Sequence, residues 1–383
     1  MYYKTSKFLT VPKNIEFVRC LSSGLMQRPV GIDGTFRQKY VRVSVLGADT
    51  TTGEATSFLL KQNPIVSQIY LHGTVEVLGM AADLKHVDTR CEVKAYHGKD
   101  GLPKALRRAD IVLIIGKDKC PLNATAEVRL RTEIEHVVEL AEACTRYAPK
   151  SIIAVCVSPI AATLPLVASI FRRTHWYHPG RLIGSTALCQ VRANSLVARY
   201  QDLDPISVHV PLVGGPDTDC VVPLFSRATP VGLTPTDCEI LHEKIRKIDD
   251  LIPIECSSNC RLGISPLSEA YAINQMVTTM GIGLCGDEKA NCTGFVRQSI
   301  LNNCRHLVST VKFGPGGIVH NYGIPKLTKL ELTLLEKATL LLQKREQLVL
   351  DLLSQLDVQP CSQVASMVQL SPYSQKRVPV GRD

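Results

Sequence analysis

No stretch of this sequence approaches the roughly 18 uninterrupted apolar residues of a helical membrane span, so no such span is expected. The chain also has no Cys-x-x-Cys pair, although it carries 14 cysteines. Many thiols without regular spacing argue against a disulfide framework and for reduced cysteines inside a cell. Cys256 and Cys260, with Cys285 and Cys292, are the grouping that most invites a metal. Their spacings match no common zinc site and no histidine stands close by, so no metal is expected. Internal repeats are absent, which removes solenoids and propellers. Asn123-Ala-Thr125 and Asn291-Cys-Thr293 match the glycosylation pattern, but no secretory signal accompanies them and neither is counted.

Acidic residues are scarce at the start of the chain. Residues 1–40 hold seven basic side chains (Lys4, Lys7, Lys13, Arg19, Arg28, Arg37, Lys39) against Glu16 and Asp33, more than half of the formal charge of +9. The rest is only mildly basic, so no nucleic-acid partner is indicated. Basic residues, the hydroxyls of Ser6, Ser22 and Ser23, and few acids make residues 1–39 a mitochondrial transit peptide or a disordered basic arm. The first reading places the protein in the mitochondrial matrix, the second in the cytoplasm.

What is present suffices for about two domains at roughly 150 residues each, with 45% apolar residues to form a core. VRVSVL at 41–46 reads as a strand ending at Gly47, followed by a helix over 54–61 and a strand over 67–71. Strands are also expected at 111–115 and 151–157, with a long helix over 125–147 between them. Alternating strands and helices imply an α/β fold with a parallel sheet covered on both faces. Beyond Pro159, helices are expected at 163–174, 187–200, 237–249 and 267–280, with strands near 208–212 and 308–313. The segment 327–356 is strongly helical. Its leucines at 327, 334, 341 and 348 allow a coiled coil, although four copies more often pack on their own domain. The tail 358–383 reads as disordered.

Six collinear segments then carry a resemblance: VLGADTTTGEATSFLLKQNPIVSQIYL (45–71), GMAADLKHVDTR (79–90), ADIVLIIG (109–116), LIGSTALCQVRAN (182–194), DPISVHVPLVGG (204–215) and LSEAYA (267–272). Between about Val41 and Leu353 the chain resembles mitochondrial-type malate dehydrogenase. That resemblance implies a Rossmann-type dinucleotide-binding domain over 40–185 and an α+β substrate domain over 186–357. It also implies NAD as cofactor, interconversion of malate and oxaloacetate, and pairing as a homodimer or with an active relative.

The same resemblance exposes departures. In the family's Gly-x-x-Gly-x-x-Gly turn the outer glycines are Gly47 and Gly53, but the middle position holds Thr50, whose bulk should hinder approach of a pyrophosphate. The helix N-terminus still favours an anion. The aspartate that holds the adenine ribose falls at Gly73. Loss of hydrogen bonds to a charged acceptor costs about 1.5–3 kcal/mol, roughly ten- to a hundredfold in affinity. NAD binding is therefore expected to be weak or absent.

Malate oxidation needs a base for the hydroxyl proton, in this family a histidine after Gly-Gly, oriented by an aspartate. The base position holds Pro216 and the orienting position Cys189. General acid–base catalysis is worth about 10²–10⁴ in rate. Asp217, next to the lost base, should project differently and titrate too low; His209 reads as structural, in a strand. Of three arginines that clamp the dicarboxylate by their planar forks, Arg192 survives, as a clamp or as a core ion-pair partner. The other two fall at Cys120 and Ala126, with Arg129, Arg131, Lys117 and Lys119 nearby. Two asparagines near the nicotinamide fall at Ser158 and Ala161. The expectation is a pseudoenzyme with a structural or regulatory role. The alternatives are a dehydrogenase of malate or another 2-hydroxy acid with repositioned groups, or a protein binding an unrelated ligand.

Overall fold

β-branched residues dominate VRVSVL, and the segment forms strand β1 (Val41–Leu46), buried along almost its whole length. Burial on both faces is what a central parallel strand demands. The computed structural model describes residues 40–117, 124–230, 232–248 and 266–355. β4 (Ile111–Ile115) and β5 (Ile152–Cys156) are fully buried as well. Their side chains alternate between the two faces of the sheet. Val112 and Ile114 enter one apolar core, whereas Ile111, Leu113 and Ile115 enter the other.

With β2 (Val66–Gly73), β3 (Glu92–His97) and β6 (Leu182–Ser185), these strands make a parallel sheet in the order β3-β2-β1-β4-β5-β6. The order reverses direction at β1/β4, the place where doubly wound sheets open a crevice at their carboxyl ends. The crossover helices are α1 (Thr51–Gln62), α2 (Glu76–Leu84), α3 (Gly98–Leu106), α4 (Ala126–Tyr147) and α5 (Ile160–Arg173).

After α6 (Ala187–Tyr200) the pairing becomes antiparallel. β7 (Leu212–Gly214), β8 (Val221–Pro223), β9 (Asn291–Arg297), β10 (His306–Gly314) and β11 (Gly317–Asn321) extend the same sheet. The join is β6 against β9, with Gly184 opposite Phe295. A Cβ at Gly184 would lie 2.7 Å from an Ile160 methyl, so glycine allows α5 to press against the join. Helices α7 (Pro235–Arg246), α8 (Pro266–Leu284) and α9 (Lys329–Gln355) complete the α-helices among the described residues. No helix among the described residues is long and apolar enough to cross a membrane.

Several expectations change. The strand expected third is the fourth, because β3 and the short helices α2 and α3 precede it. β3 (EVKAYH) is a partly exposed edge strand whose charged residues conceal it from a hydrophobicity reading. Residues 208–211 form no strand: His209 makes only an isolated bridge with Thr229, and Pro205 and Pro211 lack the donors a ladder needs. The next strand begins at Leu212. Helix α5 starts at Ile160 rather than 163, immediately after Pro159. The leucine repeat does not mark a coiled coil here: Leu334, Leu341 and Leu348 pack on the core with Leu342, Val349 and Leu352. Residues 1–39, Cys120, Cys256, Cys260 and the tail 358–383 lie outside the described residues.

Candidate functional site

The turn after β1 is built on two glycines that nothing larger can replace. Gly47 has φ +85°, and a Cβ there would stand 2.6 Å from the Ile115 carbonyl of β4. A Cβ at Gly53 would stand 2.2 Å from the Gly47 carbonyl. Thr50 is the N-cap of α1: its hydroxyl donates to the Gly47 carbonyl at 2.9 Å and accepts from the Gly53 N–H at 3.0 Å. The hydroxyl is turned into the loop and the residue is buried, so its principal effect is to occupy a helix N–H. Asp49, in the same turn, reaches the end of β2, where its Oδ2 accepts from the Thr74 N–H at 3.1 Å. Gly73 lies beneath it, and a Cβ there would come within 2.2 Å of Asp49 Oδ1.

A second cluster forms where α5, α6 and the loop after β7 converge. The Cys189 thiol donates to the Pro216 carbonyl at 3.2 Å, so the two positions assigned to the orienting acid and the base are neighbours in space. Arg192, one turn along α6 from Cys189, donates to Thr218 Oγ1 at 3.5 Å. Asp217 points at the start of α5, accepting from the Ile160 and Ala161 N–H groups at 2.9 and 3.0 Å. Its other partner is Arg345 of α9, at 2.9 Å. Those side chains are only 13% and 11% exposed, which makes this a largely buried ion pair capped by a helix N-terminus.

Burial raises the Asp217 carboxyl above its ordinary range, against the opposing pull of Arg345 and the two backbone donors. Its surroundings nevertheless consist of donors, so the carboxylate serves as their acceptor. Arg345 also donates to Asp219 and approaches Cys220 Sγ at 3.5 Å. Ligand atoms of Asp217, Asp219 and Cys220 lie within 4.8 Å of one another. The Arg345 guanidinium already supplies the positive charge that a metal would bring to them.

Among the described residues, the remaining positions contribute little cationic recognition. Ala126 opens α4 after the Thr125 cap. Arg131 pairs with Glu127 at 2.9 Å in an exposed bridge, and Arg129 Nε donates to the Ala124 carbonyl at 3.1 Å. Ser158 is exposed, and Ala161 is buried with its N–H engaged by Asp217. Beside Ala126 and Pro159 lies a cavity of about 330 Å³, bounded on α9 by Leu341, Lys344 and Arg345.

The residues present fit the adenosine end of a dinucleotide better than its nicotinamide end. The first offers a glycine turn, a helix start and a carboxylate at the tip of β2. The second presents the chain's own carboxylate. Asp49 and Arg345 went unnoticed in the sequence: the former sits between glycine positions, and the latter is one charge among many on α9. No local pattern marks either.

Residues 41–184 match the family described as lactate/malate dehydrogenase, NAD binding domain. Over 319 residues the chain is 33% identical to mitochondrial malate dehydrogenase of Rattus norvegicus, covering 82% of this chain and 93% of that one. It is also 33% identical over 298 residues to mitochondrial malate dehydrogenase of Homo sapiens, covering 78% and 87%. Among solved structures, the malate dehydrogenase of Picrophilus torridus in its apo form is similar in fold, with TM-score 0.68, 18% identity and coverage of 83% and 99%. The lactate dehydrogenase of Eimeria maxima with NADH and oxamate gives TM-score 0.69 at 17% identity, covering 84% and 98%. A third of the residues shared along most of the length, on the same fold, make this chain a member of the lactate/malate dehydrogenase family.

Proposed function

We propose that this protein is a malate dehydrogenase homologue impaired in, or devoid of, the family's hydride transfer, with a structural or regulatory role in the mitochondrial matrix. It would act as a homodimer or paired with an active relative, with residues 40–185 as dinucleotide domain and 186–357 as substrate domain. The observation that carries this reading is the Pro216–Asp217 step. Pro216 has no titratable side chain, and its carbonyl receives the thiol standing at the orienting position. The adjacent Asp217 carboxylate is held by two helix N–H groups and Arg345. No imidazole–carboxylate pair is available at those positions to collect the hydroxyl proton, a loss of about 10²–10⁴ in rate. NAD is expected to be held more weakly than by an ordinary family member.

Initial rates with malate, oxaloacetate, lactate and pyruvate, against both nicotinamide cofactors, test this. Turnover should fall at least a hundredfold below an ordinary malate dehydrogenase. A rate within tenfold of one would overturn the reading.

One observation favours an active dehydrogenase instead: burial raises the Asp217 pKa, the direction a base working near neutrality requires. That reading needs Arg345 to release the carboxylate in the productive complex. A pH–rate profile whose acidic limb moves on Asp217→Glu would support it, and an unmoved limb would remove it.

A further inference from the structure

We propose that Asp49 supplies the acceptor for the ribose hydroxyls of an adenosine diphosphate group, in place of the acid missing at Gly73. The proposal rests on a dinucleotide entering the cleft at the β1/β4 crossing, and it concerns only the adenosine half.

Three observations carry it. A Cβ at Gly73 would lie 2.2 Å from Asp49 Oδ1 and 2.7 Å from its Cγ, so the carboxylate fills the volume that a side chain on Gly73 would enter. The charge is attached to the turn after β1 and reaches the end of β2 through space. The two arrangements exclude each other: Asp49 takes this position only because residue 73 has no side chain. The carboxylate is also oriented. Oδ2 accepts from the Thr74 N–H at 3.1 Å, and Oδ1 receives no hydrogen bond among the described residues. No described lysine or arginine forms a salt bridge with Asp49. An anchored carboxylate with an open oxygen suits vicinal hydroxyls, which are donors, and repels a 2′-phosphate. The α1 N-terminus, in the same turn, suits the adjoining diphosphate.

Calorimetric titration of the full chain with ADP-ribose, NADH and NADPH tests this without reading turnover. Wild type should bind ADP-ribose and NADH in preference to NADPH. Asp49→Asn should weaken ADP-ribose by roughly ten- to a hundredfold and narrow the preference. The exchange Asp49→Gly with Gly73→Asp should recover wild-type affinity to within about threefold, an outcome that general damage to the fold cannot produce. Wild type should prefer ADP to 2′-deoxy-ADP, and Asp49→Asn should treat them alike. Wild-type affinity in Asp49→Asn, failure of the exchange to recover binding, indifference of wild type to the 2′-hydroxyl, or no binding of ADP-ribose would each overturn the assignment. Failure here leaves the Pro216 reading standing, and an active enzyme that binds through Asp49 would overturn that reading alone.

Discussion

Replacing Arg345 with methionine isolates the contact that ties α9 to the loop after β7. The substitution retains much of the apolar stem and removes the guanidinium. Asp217 then keeps two backbone donors but loses its counter-charge in a position where its side chain is only 13% exposed. Breaking a buried ion pair from one side costs about 3–5 kcal/mol, because an uncompensated charge remains. The Asp219 arm adds little, since that carboxylate is 53% exposed and a surface pair is worth at most about 1 kcal/mol. At about 2 °C per kcal/mol, the expected fall in Tm is roughly 6–10 °C. Asp217→Asn in the same background removes the stranded charge and should return about half of the loss. Urea unfolding of the wild type, both single variants and the double variant gives the coupling directly. A loss below about 1 kcal/mol for Arg345→Met, or strict additivity of the two substitutions, would refute the buried-pair argument.

Acid should destabilise the fold before its carboxylates titrate. His242 and His306 are buried with an unpartnered ring nitrogen each. Burial lowers their pKa values to about 4 and about 3, with arginines assisting at His306. A folded pKa below the unfolded value near 6.5 means that protons bind the unfolded chain more tightly. Stability should therefore be complete above neutrality and fall by up to about 1.4 kcal/mol per histidine for each pH unit below 6.5. Urea midpoints between pH 7 and 5 check this: the slope should become shallower in His242→Gln with His306→Gln, and a remainder should persist from His136, whose pKa burial also lowers to about 4. Gly53→Ala should cost roughly 1–3 kcal/mol by driving a methyl into the Gly47 carbonyl; an unchanged urea midpoint would contradict the close approach. Cys144 and Cys91, whose thiols burial pushes up to about 12, should resist a thiol reagent at pH 8 until the protein is unfolded. Peptide mapping reads the order of labelling, and early modification of Cys144 would disprove its enclosure.

Much of the parallel half was legible because its signals are local. The apolar runs at 111–115 and 152–156 are fully buried strands, and the helix expected at 187–200 has those bounds in the structure. β3 escaped notice because an edge strand tolerates Glu92 and Lys94 on its open side. The resemblance assigned the orienting and base positions to Cys189 and Pro216, and the structure places these two residues in contact. Asp217 was visible as a residue, while its engagement was not. Its partners stand 57 and 128 positions away, and no periodicity links such distances.

The sequence by itself determined the α/β class, the glycine turn and the absence of an imidazole after Gly215. These follow from side-chain chemistry and short-range pattern, which every residue carries with it. The tertiary structure alone decided where the carboxylates sit. Asp49 stands over Gly73 because β1 and β2 lie side by side in parallel register. Asp217 meets Arg345 because α9 packs across α5. Electrostatic partnership depends on distance through space, and only folding sets that distance.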